Sequence, residues 1–271
     1  MQIVELVYYV FLAIVQGITE PIPVSSSGHL AIVSAFLETN IDFESFAIIT
    51  NFGSLIAIVI LFRRDLVNLI KNFFGYLIHK NEEYKKDYIY CWLIILGCIP
   101  AAIVGVVVSR LGILDVIADN LHFVGLGLLL TAVFLFLIRN YKGDRSSNDI
   151  TIKNAFVIGL FQIIALFPGI SRSGATITGG LFQGLKRDSA FKFSFMLYIP
   201  ISIAAMVLEM DYLISADITF VMWIYYAVAL VVSAIVTYFA AKWFRKVINE
   251  GKLIYFSIYC LIVGLLVIIF M

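Results

Sequence analysis

Residues 16–29 read QGITEPIPVSSSGH and follow directly on an uncharged apolar run, residues 6–15. Pro21 and Pro23 have no N–H to give a helix, and each pushes the residue before it out of the α region. The chain must break here, with a carboxylate (Glu20), three serines, a glycine and a histidine gathered round the break. The setting is membrane-like: 62% of the 271 residues are hydrophobic and 14% charged, against about 25% charged in soluble domains. Irregular backbone survives at hydrocarbon depth only where it is buried in protein or lines a polar cavity. An ionisable group at that depth marks a functional candidate. A second stretch, residues 162–176 (QIIALFPGISRSGAT), breaks an apolar run in the same way. The two stretches read as halves of one site.

The apolar segments 46–62, 89–108, 123–138, 193–210, 221–241 and 253–271 are each near the ~20 residues that a spanning helix needs. Within residues 63–87 the middle, LVNLIKNFFGYLI (66–78), alternates apolar and polar positions at helical spacing, which predicts an interfacial amphipathic helix. Four loops, within 63–87, 139–153, 186–192 and 242–252, hold 17 of the 19 Lys and Arg; the other two are Arg110 and Arg172. The loops around Glu38, Asp42 and Glu44, around Asp115 and Asp119, and around Glu209, Asp211 and Asp217 are acidic. Basic loops face the cytoplasm. Every loop falls on its proper side if residues 3–37 dip in from outside and return, and residues 155–185 dip in from the cytoplasm and return. The expected fold is therefore an all-α polytopic membrane protein, with six transmembrane helices plus two re-entrant helical hairpins.

An offset of 146 sets Gln16 over Gln162, Ser25 over Ser171, Ser27 over Ser173 and Gly28 over Gly174 without a gap. Each half is then one hairpin followed by three spans, repeat 1 about 1–138 and repeat 2 about 154–271, within a single integral membrane domain. An odd number of crossings inverts the second half, an arrangement used by transporters with midplane sites. Net charge of +1 speaks against a nucleic-acid partner. Cys91, Cys98 and Cys260 sit in apolar runs with no CxxC spacing, which points to packing rather than redox or metal chemistry.

Gln16 and Glu20 are four apart and share a helix face. Such oxygen donors suit Mg²⁺ or Ca²⁺, with substrate phosphate completing the shell. Arg172 needs an anionic partner at this depth; Glu20 is one candidate, and a phosphate matches the guanidinium fork better. Ser171, Ser173, Gly174 and Thr176 resemble an anion cradle of hydroxyl and backbone donors at a helix start. Ser25, Ser26 and Ser27 add hydroxyls to the other half. His29 brings an acid, base or nucleophile three residues from Ser26.

QGITE followed by PVSSSGH, together with PGISRSGAT, resembles the bacterial undecaprenyl-pyrophosphate phosphatases of the BacA/UppP type, and length, span order and repeat agree along the chain. That family's glutamate-rich motif is (E/Q)xxxE; here its first position is Gln16, which leaves Glu20 as the only carboxylate. The resemblance implies hydrolysis of undecaprenyl pyrophosphate to undecaprenyl phosphate and inorganic phosphate, and bacitracin resistance when the protein is abundant. It implies a divalent cation and a multi-pass protein of the bacterial plasma (inner) membrane, with a site accessible from the extracytoplasmic side. By matched position it points to Glu20, Ser26, His29, Ser171, Arg172 and Thr176. On this basis Arg172, helped by Ser171, Ser173 and Thr176, is expected to bind the pyrophosphate, and a cation near Glu20 and Gln16 to bridge its oxygens. Ser26 would attack with His29 as acid/base partner; His29 as nucleophile, through a phosphohistidine, is the reverse assignment. The expected partners are a polyprenyl pyrophosphate and membrane lipid, with a homodimer left open. A transporter or flippase for a polyprenyl phosphate carrier is the alternative, and it would need an anion site but no nucleophile.

Overall fold

The computed structural model describes residues 2–37, 41–112, 117 and 120–271, the side chains of residues 2 and 3 aside. Glu38, Asp115 and Asp119, from the acidic loops above, lie outside the described residues. Among the described residues the protein is all-helical, with one isolated bridge between Arg145 and Leu185. The first half contains α1 (Gln2–Thr19), α2 (Ser26–Phe36), α3 (Phe43–Leu61), α4 (Arg63–His79), α5 (Lys85–Arg110) and α6 (Leu121–Ile138). The second contains α7 (Ile152–Ile164), α8 (Arg172–Phe182), α9 (Arg187–Ser215), α10 (Phe220–Asn249) and α11 (Ile254–Phe270).

Several helices start where a side chain takes up the orphan N–H groups of the first turn. Asp42 accepts from Glu44 N and Ser45 N, Asn120 from His122 N, and Thr219 from Met222 N. Thr151 and Asn154 close a reciprocal capping box on α7.

Among the described residues five stretches are long and apolar enough to cross a membrane: α3, Glu82–Arg110, α6, α9 and α10. The sixth expected span is α11, whose 17 residues fall just short. Several helices outrun the apolar segments. α9 has 29 residues and takes in Lys192 before the expected start and Asp211 beyond the expected end. Backbone hydrogen bonding continues the helix through the interface, where charged side chains reach water; Lys192 meets Asp65 of α4 at 2.5 Å. The helix expected over residues 66–78 is there, inside α4, Arg63–His79. α4 stops at Lys80, which has φ 53, and a 3₁₀ turn at Glu82–Tyr84 folds the chain back so that Phe73 and Tyr88 stack at 5.1 Å.

α6 packs on α11, α3 on α10, α1 on α10 and α5 on α7, while α1 meets α2 and α7 meets α8. Between α3 and α10, Ser54 bonds Ser233 at 3.0 Å and Thr237 at 2.9 Å, and Ser233 donates to Thr50 O at 2.8 Å. Gly53 lies against the Leu230 carbonyl, where a side chain has no room. Small residues and paired hydroxyls are how helices adhere where lipid is as apolar as they are. The exterior is correspondingly apolar, with Ile103, Leu130, Val207, Ile235 and Leu266 exposed.

Candidate active site

Both breaks are built on one plan. α1 ends at Thr19, whose hydroxyl donates to Val15 O at 2.7 Å, and Glu20 N still reaches Gln16 O at 2.9 Å. Beyond the two prolines, Val24 N donates to Ile22 O at 2.8 Å, a tight turn about Pro23. Ser25 then takes φ 70 and ψ 98, and its Oγ accepts from Gly28 N at 3.3 Å, so that α2 starts at Ser26. In the second break Gly169 takes the positive φ, 83, and packs against Val124 O. Ser171 N donates to Thr131 Oγ1 of α6 at 3.0 Å, and Ser171 Oγ accepts from Gly174 N at 3.1 Å. α8 therefore starts at Arg172. Helices α2 and α8 each run 11 residues, and their first residues are Ser26 and Arg172, 146 apart. The offset that aligns the serines thus sets a hydroxyl in one half against a guanidinium in the other.

Those two first residues meet on Glu20. Ser26 Oγ donates to Glu20 Oε2 at 2.5 Å, and Gln16 Nε2 reaches the same oxygen at 3.0 Å. Arg172 Nη2 is ion-paired with the other oxygen, Oε1. The Glu20 side chain is 8% exposed and that of Arg172 25%. Arg172 is held on two further sides: Nη1 donates to Ser202 Oγ at 3.3 Å, and the guanidinium lies 3.9 Å from the centre of the Tyr198 ring. Tyr198 in turn donates to Asn51 Oδ1 at 3.0 Å.

The cluster opens on a cavity of about 340 Å³. Gln16, Glu20, Ser25, Ser26, Ser27, Ser171, Arg172 and Ser173 all line it, so most of the residues singled out from the sequence converge. Two helix N-termini deliver their N–H ends to the same region, an arrangement suited to anions. Three other expected residues stand outside the lining. Thr176 is on the buried face of α8, donating to Arg172 O at 2.9 Å and bonded to Ser194 Oγ at 2.6 Å. Gly174 serves through its backbone, capped by Ser171. The third is His29. Its ring nitrogens lie 2.7 Å from Ser25 O and 2.7 Å from Tyr259 Oη, so Ser26 takes its hydrogen-bond partner from Glu20 instead.

Sequence reading missed Asn51, Tyr198, Ser202 and Tyr259. Tyr198 and Ser202 are four apart on α9 and share a face toward Arg172, but nothing in their spacing named the guanidinium as the target.

The donor set suits a divalent cation only in part. Among the described residues no three His, Cys, Asp or Glu side chains form a ready-made metal cage. The cavity lining nevertheless holds three carboxylates, Glu20, Glu44 and Glu209, against the single guanidinium of Arg172. Of these, Glu20 together with the Gln16 amide offers oxygens that a hard cation could share with phosphate and water.

The bacitracin resistance protein BacA family matches this chain over residues 9–266. Undecaprenyl-diphosphatase 3 of Bacillus anthracis is 40% identical over 263 residues, 97% of each chain. Undecaprenyl-diphosphatase 1 of Bacillus licheniformis is 40% identical over 270 residues, 100% of each. The undecaprenyl-diphosphatase of Oceanobacillus iheyensis is 40% identical over 266 residues, 98% of this chain and 97% of its own. With a hydroxyl, a carboxylate and a guanidinium meeting between apolar helices, and likeness of this extent along the whole length, the chain belongs to the BacA family.

Proposed function

We propose that this protein hydrolyses undecaprenyl diphosphate to undecaprenyl phosphate and inorganic phosphate, recycling the lipid carrier used in cell-wall synthesis, and that it confers bacitracin resistance as its family description states. The observation that carries the reading is the meeting of Ser26 and Arg172 on the two oxygens of Glu20. A transporter needs an anion site, but it does not need a hydroxyl donating at 2.5 Å to a carboxylate that can take its proton.

The geometry suggests an order of events. In the resting site Glu20 neutralises Arg172. An incoming pyrophosphate matches the guanidinium fork and takes it over, with the N-terminal N–H groups of α2 and α8 and the Ser171 and Ser173 hydroxyls around it. Glu20 is then free to accept the Ser26 proton as Oγ bonds to the terminal phosphorus. The bond to the bridging oxygen breaks, and undecaprenyl phosphate leaves with that oxygen. Water cleaves the phosphoserine, returning the Ser26 hydroxyl and releasing inorganic phosphate. Mg²⁺ or Ca²⁺ held by Glu20 and Gln16 would neutralise phosphate oxygens. The test is phosphate release from undecaprenyl diphosphate in detergent, with and without chelator. Turnover is expected only without it, and acid quench is expected to preserve label on Ser26 and none in Ser26→Ala. Label stable only to base would move the nucleophile to a histidine, and absence of any turnover would sink the activity.

We further propose six membrane crossings and two re-entrant hairpins, α1–α2 and α7–α8, in a single domain of two inverted repeats in the bacterial plasma (inner) membrane. The cavity would open to the extracytoplasmic side. Support comes from the 17 Lys and Arg on four loops and from the matched 11-residue helices α2 and α8. Cysteines placed in the linker 139–153 should label only from the cytoplasm, and those at Asp211 and Asp217 only from outside. Labelling of both from one side would end the topology. A homodimer would bury part of the same apolar exterior that lipid covers, and cross-linking in native membranes separates the two.

A further inference from the structure

His29 is held in a way the chemistry above does not use. Its Nδ1 lies 2.7 Å from Ser25 O, and a carbonyl only accepts, so Nδ1 carries the hydrogen. In the neutral ring Nε2 is then the acceptor, and Tyr259 donates to it at 2.7 Å. The two rings stack with centroids 5.6 Å apart and planes 10° from parallel. The same Ser25 carbonyl also receives the His29 backbone N–H, at 3.1 Å.

Ser25 is the strained point of the first break. Among the described residues only Ser25 and Lys80 are non-glycine positions with positive φ, and Lys80 is the exposed end of α4. Such a conformation persists only where the surroundings over-determine it. At Ser25 the surroundings are its own side-chain cap on Gly28 and the double grip of His29 on its carbonyl. The residue that follows is Ser26. An error in the Ser25 turn moves the Ser26 hydroxyl relative to Glu20, and small displacements of reacting groups carry large rate penalties.

We propose that His29 and Tyr259 form a positioning clamp. Tyr259, on α11, fixes the His29 ring; the ring grips the Ser25 carbonyl; and the turn so held sets Ser26 Oγ against Glu20. Tyr259 is thereby a positioning residue supplied by the second half of the chain to the nucleophile of the first. The proposal rests on the reading of Ser26 as nucleophile.

The experiment compares Tyr259→Phe in the wild-type, Ser25→Gly and Ser25→Ala backgrounds, measuring kcat and KM for phosphate release from undecaprenyl diphosphate in detergent. The phenylalanine ring keeps the stacking, so only the hydroxyl is lost. In the wild-type background kcat should fall about three- to tenfold, the worth of one hydrogen bond, with KM unchanged. Glycine adopts positive φ without the penalty a side chain brings, so the same substitution should cost less than about twofold in the Ser25→Gly background and the full amount in Ser25→Ala, which loses the same Oγ cap but keeps the penalty. A purely structural role would give equal losses in all three backgrounds, and that result, or wild-type kcat in Tyr259→Phe, overturns the clamp. Phosphate label trapped on His29 overturns it too, because the ring would then be the nucleophile. Ser26→Ala separates the two levels. Retained turnover in that variant rejects the reading beneath the clamp, whereas a dead Ser26→Ala beside an unaffected Tyr259→Phe rejects the clamp alone.

Discussion

Arg172→Ala should leave no measurable phosphate release, and Arg172→Lys should keep a remnant, with kcat/KM lower by about 10²–10³, the loss typical of one preorganised charge-stabilising donor. Lysine retains the charge but loses both the two-pronged fork and the flat face that lies over Tyr198. Its ammonium offers a point charge where the pyrophosphate presents paired oxygens. Alanine goes further and leaves the Glu20 carboxylate, 8% exposed, without its cation. The measurement is steady-state kinetics on undecaprenyl diphosphate, paired with binding of a non-hydrolysable diphosphate analogue. Binding should weaken in both variants and most in alanine. Near-wild-type turnover in Arg172→Ala would mean that the second break does not hold the phosphates, and the joint site would have to be abandoned.

Glu20→Gln should be comparably severe for a different reason. The amide keeps nearly the same shape and still accepts from Ser26, but it cannot take the proton, and loss of a general base costs about 10²–10⁴ in rate. It also withdraws the negative charge paired with Arg172. Breaking a fully buried ion pair from one side costs about 3–5 kcal/mol, and the partial exposure of Arg172 places this case below that range. The signature is therefore a large fall in kcat with a moderate fall in melting temperature. Added diphosphate analogue should recover part of the thermal loss by supplying the missing anion. Unchanged turnover would remove Glu20 as base and as cation ligand together.

The sequence made the breaks legible because lipid leaves so few options. Two prolines beside Glu20, and an arginine within an apolar stretch, have no stable place in hydrocarbon unless they meet, so the pairing of Glu20 with Arg172 could be foreseen as one of two solutions. Ser171 could be read as lying near a helix start, but Ser25 only as its aligned counterpart and a hydroxyl donor; that both cap a helix emerges from the backbone. The orientation of His29 was not legible. Its place three residues past Ser26 led to the expectation of an acid/base partner for that hydroxyl, but Tyr259, 230 positions away, captures the ring together with the carbonyl of Ser25. Tyr198 and Ser202 were hidden likewise, because only packing brings α9 beside α8. Helix ends were misjudged where the apolar run stops and the backbone ladder does not, as in α9.

The placement of Tyr259 on α11 also bears on how the protein is made. Ser26 leaves the ribosome 233 residues ahead of Tyr259, and at about 5–20 residues per second that interval lasts on the order of ten to fifty seconds. Through most of it Glu20 has no Arg172 to neutralise it, and the first helical break cannot settle at depth by itself. A chain stalled before residue 172 carries the proposed nucleophile, Ser26, without the proposed phosphate anchor, Arg172, and one stalled before 259 carries both without the proposed clamp. The first break is thus settled in stages, gaining its counter-charge when Arg172 arrives and the Tyr259 contact only when α11 is made.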